Sequence, residues 1–214
     1  MLFDLDGTLI DSAPDLAAAA NEMRTTRGLA PLPYASFRPM VGSGARGMVG
    51  AALQIGPADE AFVALRDEFL QRYEGRMLQQ TRVFPEMLPL LDALRAQRLP
   101  WGIVTNKATR FAAPLVRALE LDRESQALVY GDTTPHSKPH PAPLLEAARQ
   151  LGLAAEECVY VGDDLRDVEA GHAAAMGTIV AAWGYLGFGD PIEEWGADHI
   201  VRTPDELLKL LAMA

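Results

Sequence analysis

A chain of 214 residues, 49% of them hydrophobic and with mean hydropathy near zero, has room for one large domain, or a domain with a smaller insert, around a real core. Its formal net charge of −10 argues against nucleic acid as the main partner. No apolar run approaches the roughly 18 residues that a membrane-spanning helix needs.

No basic segment precedes an apolar stretch at the N-terminus, so there is no signal-peptide pattern and the chain reads as cytoplasmic. The single Cys158 cannot form an internal disulfide, which agrees with a reducing compartment. It lies in the apolar run Cys158-Val159-Tyr160-Val161 and reads as a small buried hydrophobe. An acidic chain that handles an anionic substrate must supply positive charge locally, from a metal ion or a few placed cations. There are only three lysines: Lys107, Lys138 and Lys209.

In chain order, a short apolar run at residues 2–5 comes first. Five more follow, at 101–105, 127–131, 159–162, 178–182 and 199–201. Each is rich in Val, Ile, Leu or aromatic residues and ends in polar residues or glycine, as buried parallel strands do. Helix-like stretches at 86–97, 110–119, 141–151, 167–174 and 204–211 alternate with them; in the first of these, Leu88, Leu91 and Leu94 have helical spacing. The alternation predicts an α/β fold, a Rossmann-like doubly wound parallel sheet. The rhythm breaks after the first strand, where about 70 residues show no strand pattern. Helix-like stretches at 14–27, 34–53 and 58–78 are punctuated there by Gly28, Pro31, Pro33, Gly56 and Pro57. Residues 13–82 read as a helical insert, with 1–12 and 83–214 forming the sheet domain. Ligands of open α/β sheets bind beyond the carboxyl ends of the strands, so an insert leaving there would act as a lid.

Four polar clusters fall at or just after predicted strand ends. Asp4-Leu5-Asp6-Gly7-Thr8-Leu9 follows the first strand. Two carboxylates this close suit a division of labour, one binding a cation or attacking phosphorus, the other moving a proton. The same residues also suit a plain Asp-Gly turn capped by Thr8. Thr105 and Asn106 end the second sheet strand, where they would hydrogen-bond phosphate or cap a helix. Lys138, between Pro135 and Pro139, would offset charge at a transferring group or stand on the surface. Gly162-Asp163-Asp164-Leu165-Arg166-Asp167 ends a further strand; Asp163 and Asp167 are spaced to share a helical face, and hard oxygen ligands suit Mg²⁺. Acidic residues are also favoured at a helix N-terminus, but three in five residues would repel one another without a cation.

This order of motifs resembles the haloacid dehalogenase superfamily of phosphohydrolases, over essentially the whole chain. The resemblance implies Asp4 as nucleophile, Asp6 as general acid and base, Thr105 and Asn106 as phosphate ligands, and Lys138 as a catalytic cation that also meets the phosphate. It implies Mg²⁺ held by Asp4, the Asp6 backbone carbonyl, Asp163 and, through water or from behind, Asp167. Asp164 stands where many relatives have Ser. Residues 13–82 look like the family's helical cap. Asp6 argues against a dehalogenase, and the absence of lysine from residues 1–106 argues against a Schiff-base phosphonate hydrolase; a sugar-phosphate mutase or a non-catalytic binding protein are the alternatives of another class. The sequence is most similar to bacterial phosphoglycolate phosphatases. Gly44-Ala45-Arg46-Gly47-Met48, the stretch WGIVTNKATRF at 101–111, VGDDLRD at 161–167 and Trp195-Gly196-Ala197-Asp198 lean toward a branch resembling N-acetylmuramic acid 6-phosphate phosphatases. Both substrates carry a carboxylate, which Arg46, after the Gly42-Ser43-Gly44 loop, would pair in bidentate fashion. The expected partner is a small phosphorylated metabolite, with no nucleic acid or membrane, for a monomer or homodimer. His136, His140, His172 and His199 show no metal-ligand spacing. The loop from Trp183 to Trp195 would line the site or a dimer contact.

Overall fold

The computed structural model describes residues 1–213, with side chains through residue 210. In chain order, β1 (Leu2–Phe3) leads through a tight turn to β2 (Ile10–Asp11). Helices α1 (Ala13–Thr25), α2 (Gly44–Leu53) and α3 (Phe62–Glu74) follow, then β3 (Arg82–Val83). The rest alternates: α4 (Leu88–Gln97), β4 (Gly102–Val104), α5 (Thr109–Ala118), β5 (Ala127–Val129), α6 (Ala142–Leu151), β6 (Val159–Gly162), α7 (Leu165–Ala173), β7 (Gly177–Ala181), β8 (His199–Val201) and α8 (Pro204–Met213). The chain forms two compact units. One holds Met1–Ile10, Val83–Gly184 and the residues from Asp190 on; the other holds Asp11–Arg82 and Tyr185–Gly189.

The first unit is built on a six-stranded sheet of order β5-β4-β1-β6-β7-β8, in which every pairing is parallel. β1 has two residues, yet it is central. Leu2 stands opposite Gly102 on one side and Tyr160 on the other, and both Leu2 and Phe3 are fully buried. Burial of two such side chains is worth about 1.5–3 kcal/mol each, which helps to fix so short a strand. From β1 the chain builds outward through β4 and β5, then returns to the other side of β1 for β6, β7 and β8. The reversal places the carboxyl ends of β4, β1 and β6 side by side, the switch point at which α/β sheets bind ligands. Cys158 is buried in this core, and burial pushes its thiol up from the ordinary range.

All six expected strands are present in the sheet, within a residue or two at most ends. Three local expectations are corrected. Leu88 is exposed, and α4 buries Leu90, Leu91 and Leu94 instead, because the helix begins only after a 3-10 turn at Pro85–Met87. The stretch 34–53 is not one helix: 3-10 segments Tyr34–Ser36 and Arg38–Ser43 precede α2, with Pro39 and Gly42 interrupting and Gly44 at a φ of 60°. The span after β1 also contains strands. β2 and β3 pair as a separate two-stranded sheet, too short for two-residue alternation to show in the sequence.

The second unit packs α1, α2 and α3 around Met23, Met48, Val49, Ala52, Phe69 and Tyr73, all buried. Ser12 does not cap α1 with its side chain. The Tyr185 hydroxyl does so instead, accepting from the Ser12 and Ala13 N–H groups at 2.8 and 3.0 Å and donating to Asp11 Oδ1 at 3.0 Å. Asp15, in the first turn of α1, is fully buried. Its Oδ2 accepts from the Gln80 and Thr81 N–H groups and from the Thr81 hydroxyl, each at 2.9 Å, and Arg76 faces its Oδ1 at 3.7 Å. Removing this carboxylate would leave three donors and a guanidinium without it. Asp15→Ala is expected to cost about 2–4 kcal/mol in urea unfolding followed by circular dichroism; a loss below about 1 kcal/mol would contradict that accounting.

Candidate active site

Asp4 is the first residue after β1. Its N–H donates to Val161 O at 2.9 Å, extending the ladder by one bond and fixing the backbone from which the carboxylate projects. The chain then reverses: Gly7 takes a φ of 88°, donates to Ile10 O at 2.9 Å, and Ile10 N–H returns to Leu5 O at 2.9 Å. Thr105 occupies the matching place after β4, where its N–H donates to Val129 O at 3.0 Å and its buried hydroxyl accepts from Lys107 N–H at 3.1 Å.

Lys138 is buried at the centre of the group. Its Nζ lies 2.9 Å from Asp4 Oδ1 and 2.6 Å from Asp167 Oδ1, and donates to the Tyr160 hydroxyl at 2.7 Å and to Val104 O at 3.2 Å. Burial opposes a charged ammonium, but the Asp167 and Asp4 carboxylates outweigh it and hold Lys138 protonated, above the usual lysine range. The Asp4 carboxyl is held up at about 7: burial raises it most, Lys138 pulls it down, and Asp167 and Asp6 add to the rise. The Lys138 backbone is fixed by Asn106, whose amide donates to Lys138 O and accepts from Lys138 N–H, both at 2.9 Å. Asn106, expected at the phosphate, places the lysine through these two bonds.

The aspartate cluster after β6 divides its work. Helix α7 begins at Leu165, not near Asp167, so Asp163 precedes the helix and the two do not share a helical face. Asp164 is the N-cap: its Oδ1 accepts from Arg166 N–H at 3.0 Å and its N–H donates to Asp167 Oδ2 at 3.0 Å. Its carboxylate also takes the Arg166 guanidinium in a bidentate pair at 2.7 and 2.8 Å. Burial works against this carboxylate, and the guanidinium overcomes it and holds Asp164 below the ordinary range. Asp163 is buried, accepts from the Thr8 hydroxyl at 2.9 Å, and is boxed in by glycine: a Cβ on Gly7 or Gly184 would stand 2.3 or 2.2 Å from its atoms.

Asp4, Asp163 and Asp167 each offer an oxygen, and the three oxygens lie within 4.8 Å of one another. Asp164 pairs with Arg166 and Asp6 with Lys107, at 2.7 and 2.8 Å, while Asp4 and Asp167 meet in the Lys138 ammonium. Three hard oxygen donors this close together fit a divalent cation such as Mg²⁺. Such an ion would also remove the neighbouring negative charge that helps Asp4 keep its proton.

The structure therefore brings together Asp4, Asp6, Thr105, Asn106, Lys138, Asp163 and Asp167. Arg46 lies apart from them in sequence and unit, exposed on α2. Sequence reasoning gave no role to Tyr160, whose hydroxyl joins Lys138 to Val104 O, at 2.8 Å, and whose own proton is held far more tightly than usual, by burial first. A lone tyrosine in an aliphatic buried strand was the available signal, since a buried hydroxyl needs a partner. It also gave no role to Lys107 or Gly184. The long loop after β7 proves to flank the site: Gly184 closes on Asp163, and the Trp183 indole donates to Thr8 O at 3.1 Å.

Comparison with known proteins agrees with this geometry. Residues 1–181 match the family model of haloacid dehalogenase-like hydrolases. A phosphoglycolate phosphatase of Xanthomonas campestris pv. campestris is 45% identical over 97% of this chain and 93% of its own. An N-acetylmuramic acid 6-phosphate phosphatase of Pseudomonas aeruginosa is 41% identical over 100% of this chain and 95% of its own. The crystal structure of a predicted phosphoglycolate phosphatase from Haemophilus somnus 129PT superposes with a TM-score of 0.85 at 28% identity, covering 98% of this chain and 96% of that one. The chain belongs to the haloacid dehalogenase-like hydrolases. Within them its relatives place it among the phosphatases, of the phosphoglycolate phosphatase type.

The glycine box around Asp163 gives a direct test of the cation site. Gly184→Ala is expected to displace that carboxylate and weaken Mg²⁺ binding at least tenfold by calorimetry, with circular dichroism unchanged. Unaltered Mg²⁺ affinity would show that Asp163 is not a ligand.

Proposed function

We propose that this protein is a cytoplasmic, Mg²⁺-dependent phosphomonoesterase that hydrolyses a small phosphate ester through an aspartyl-phosphate on Asp4. The observation that carries the reading is the buried Lys138 ammonium between Asp4 and Asp167, beside oxygens of Asp4, Asp163 and Asp167 that lie within 4.8 Å of one another. Asp4, Asp163, Asp167 and the Asp6 backbone carbonyl would hold the metal, with Asp167 acting from behind because Lys138 and the α7 cap already engage it. Bound there, Mg²⁺ supplies charge neutralisation for the phosphoryl oxygens and keeps Asp4 ionised.

The chain's own groups divide the chemistry. An Asp4 carboxylate oxygen attacks phosphorus, and the bond from phosphorus to the leaving oxygen breaks with its electron pair going to that oxygen. Asp6 gives the leaving oxygen its proton. Water then attacks the same phosphorus and surrenders a proton to Asp6. The bond to Asp4 breaks, releasing inorganic phosphate and restoring both carboxyls. Lys138 offsets charge on the transferring group throughout, and Thr105, with Asn106 steadying Lys138, orients the phosphate.

The 45% identical relative named phosphoglycolate phosphatase supports phosphoglycolate as substrate. N-acetylmuramic acid 6-phosphate is the second reading, supported by the 41% identical relative that spans the whole chain. Residues 13–82 serve as the cap that selects the substrate, and Arg46 within it pairs the carboxylate that both esters carry.

Phosphate release should appear with Mg²⁺, vanish with EDTA, and fall at least 1,000-fold in Asp4→Asn; the ranking of kcat/KM over the two esters and a few hexose phosphates names the substrate. Sugar-phosphate interconversion without phosphate release would favour a mutase. Arg46→Ala should raise KM roughly tenfold for the preferred carboxylate-bearing ester and leave 4-nitrophenyl phosphate within about twofold; equal change for both would remove Arg46 from carboxylate recognition.

A further inference from the structure

Two of the three lysines in this chain meet the two aspartates of its first motif. Lys138 pairs Asp4, and Lys107 pairs Asp6. The second pair is built as deliberately as the first. Lys107 Nζ donates to Asp6 Oδ1 at 2.8 Å, with the side chains only 11% and 14% exposed. The backbone that carries this lysine is fixed on both sides. Its N–H donates to the Thr105 hydroxyl at 3.1 Å, and its carbonyl accepts from Gly131 N–H at 2.9 Å. Gly131 allows that approach, since a Cβ there would stand 2.2 Å from Asn106 O. One segment, Thr105-Asn106-Lys107, thus reaches three parts of the site: the phosphate position, Lys138 and Asp6.

Asp6 sits in the turn after β1, beyond the strand ladder that fixes Asp4. Its carboxyl must meet first the leaving oxygen and then the attacking water, so its plane has to be set. We propose that Lys107 is the positioning residue for Asp6, its contact with Oδ1 setting the plane of the carboxyl for proton transfer. This rests on the assignment of Asp6 as the proton-transferring group. The contact suits both halves of the reaction. An oxygen that accepts from the ammonium can do so in either state of the group, as the carbonyl-type oxygen of the acid or as part of the carboxylate. Proton transfer by a placed side chain is worth roughly 10²–10⁴-fold, and a misplaced one forfeits part of that.

The test compares Lys107→Met and Lys107→Arg with the full-length wild type, in Mg²⁺, on two substrates. One is the alkyl phosphate that the wild type prefers, whose leaving oxygen needs a proton. The other is 4-nitrophenyl phosphate, whose nitrophenolate leaves without one. For Lys107→Met the expected result is a fall in kcat of about 30-fold or more on the alkyl ester, with KM within about threefold. The first-turnover burst of nitrophenolate should stay within about threefold, and Lys107→Arg should recover much of the loss. Parallel losses on both substrates, unchanged kcat, or a raised KM with kcat intact would each overturn the proposal, the last by making Lys107 a substrate-binding group. Should Lys107→Met fail to fold, Lys107→Gln gives the same ratio. Asp6→Asn separates the layers: if it keeps full activity on the alkyl ester, the role of Asp6 falls and the proposal with it. If only the Lys107 variants behave as wild type, the reading of Asp6 stands and the positioning role does not.

Discussion

A single buried ammonium sets the arrangement of the site. Lys138 reaches Asp4 at the end of β1, Asp167 in the first turn of α7, Tyr160 on β6 and the carbonyl of Val104 on β4. Burying a lysine without partners is prohibitive, and burying two or three carboxylates together is no better. Each makes the other tolerable, so the three central strands and α7 must come to one register before the charges can leave water. The pairing therefore ties the geometry of the carboxyl ends of the sheet to the electrostatics of the site.

The supporting side chains follow from that constraint. Asn106 holds the backbone of Lys138, and Thr105, one residue earlier, turns its hydroxyl to the backbone of Lys107. Asp164 caps α7 and takes Arg166, which leaves Asp163 and Asp167 to face Asp4. Gly7 and Gly184 make room for Asp163. Asp4, Asp163 and Asp167 then present three carboxylate oxygens within 4.8 Å of one another, a donor set that suits a divalent cation.

Much of this was legible in the sequence. Parallel strands buried on both faces read as short apolar runs, and the polar residues that end them mark the ligand edge of the sheet. Asp4, Thr105, Lys138 and Asp163 could be brought to that edge from the order of the four clusters, although each cluster alone also had a plain structural reading. What was not legible depends on partners distant in the chain. Asn106 has the chemistry of a phosphate ligand, and only the structure shows that it also holds the Lys138 backbone through two bonds. Asp164 had no assigned part until the start of α7 at Leu165 made it a cap. Leu88 fits the helical period of Leu91 and Leu94, yet the 3-10 turn before α4 leaves it exposed. The two-residue strands β2 and β3 carry no periodicity at all. Lys107 was conspicuous for its rarity but had no local pattern to give it a task.

The central claim is covalent, that phosphate resides for a time on Asp4. Wild-type protein mixed with ³²P-labelled substrate and Mg²⁺, then quenched in acid within milliseconds, tests it most directly. The account predicts label on the protein that survives acid, is released by hydroxylamine, and maps to the peptide containing Asp4. Turnover with no trapped label in wild type, or label on any other residue, would contradict it.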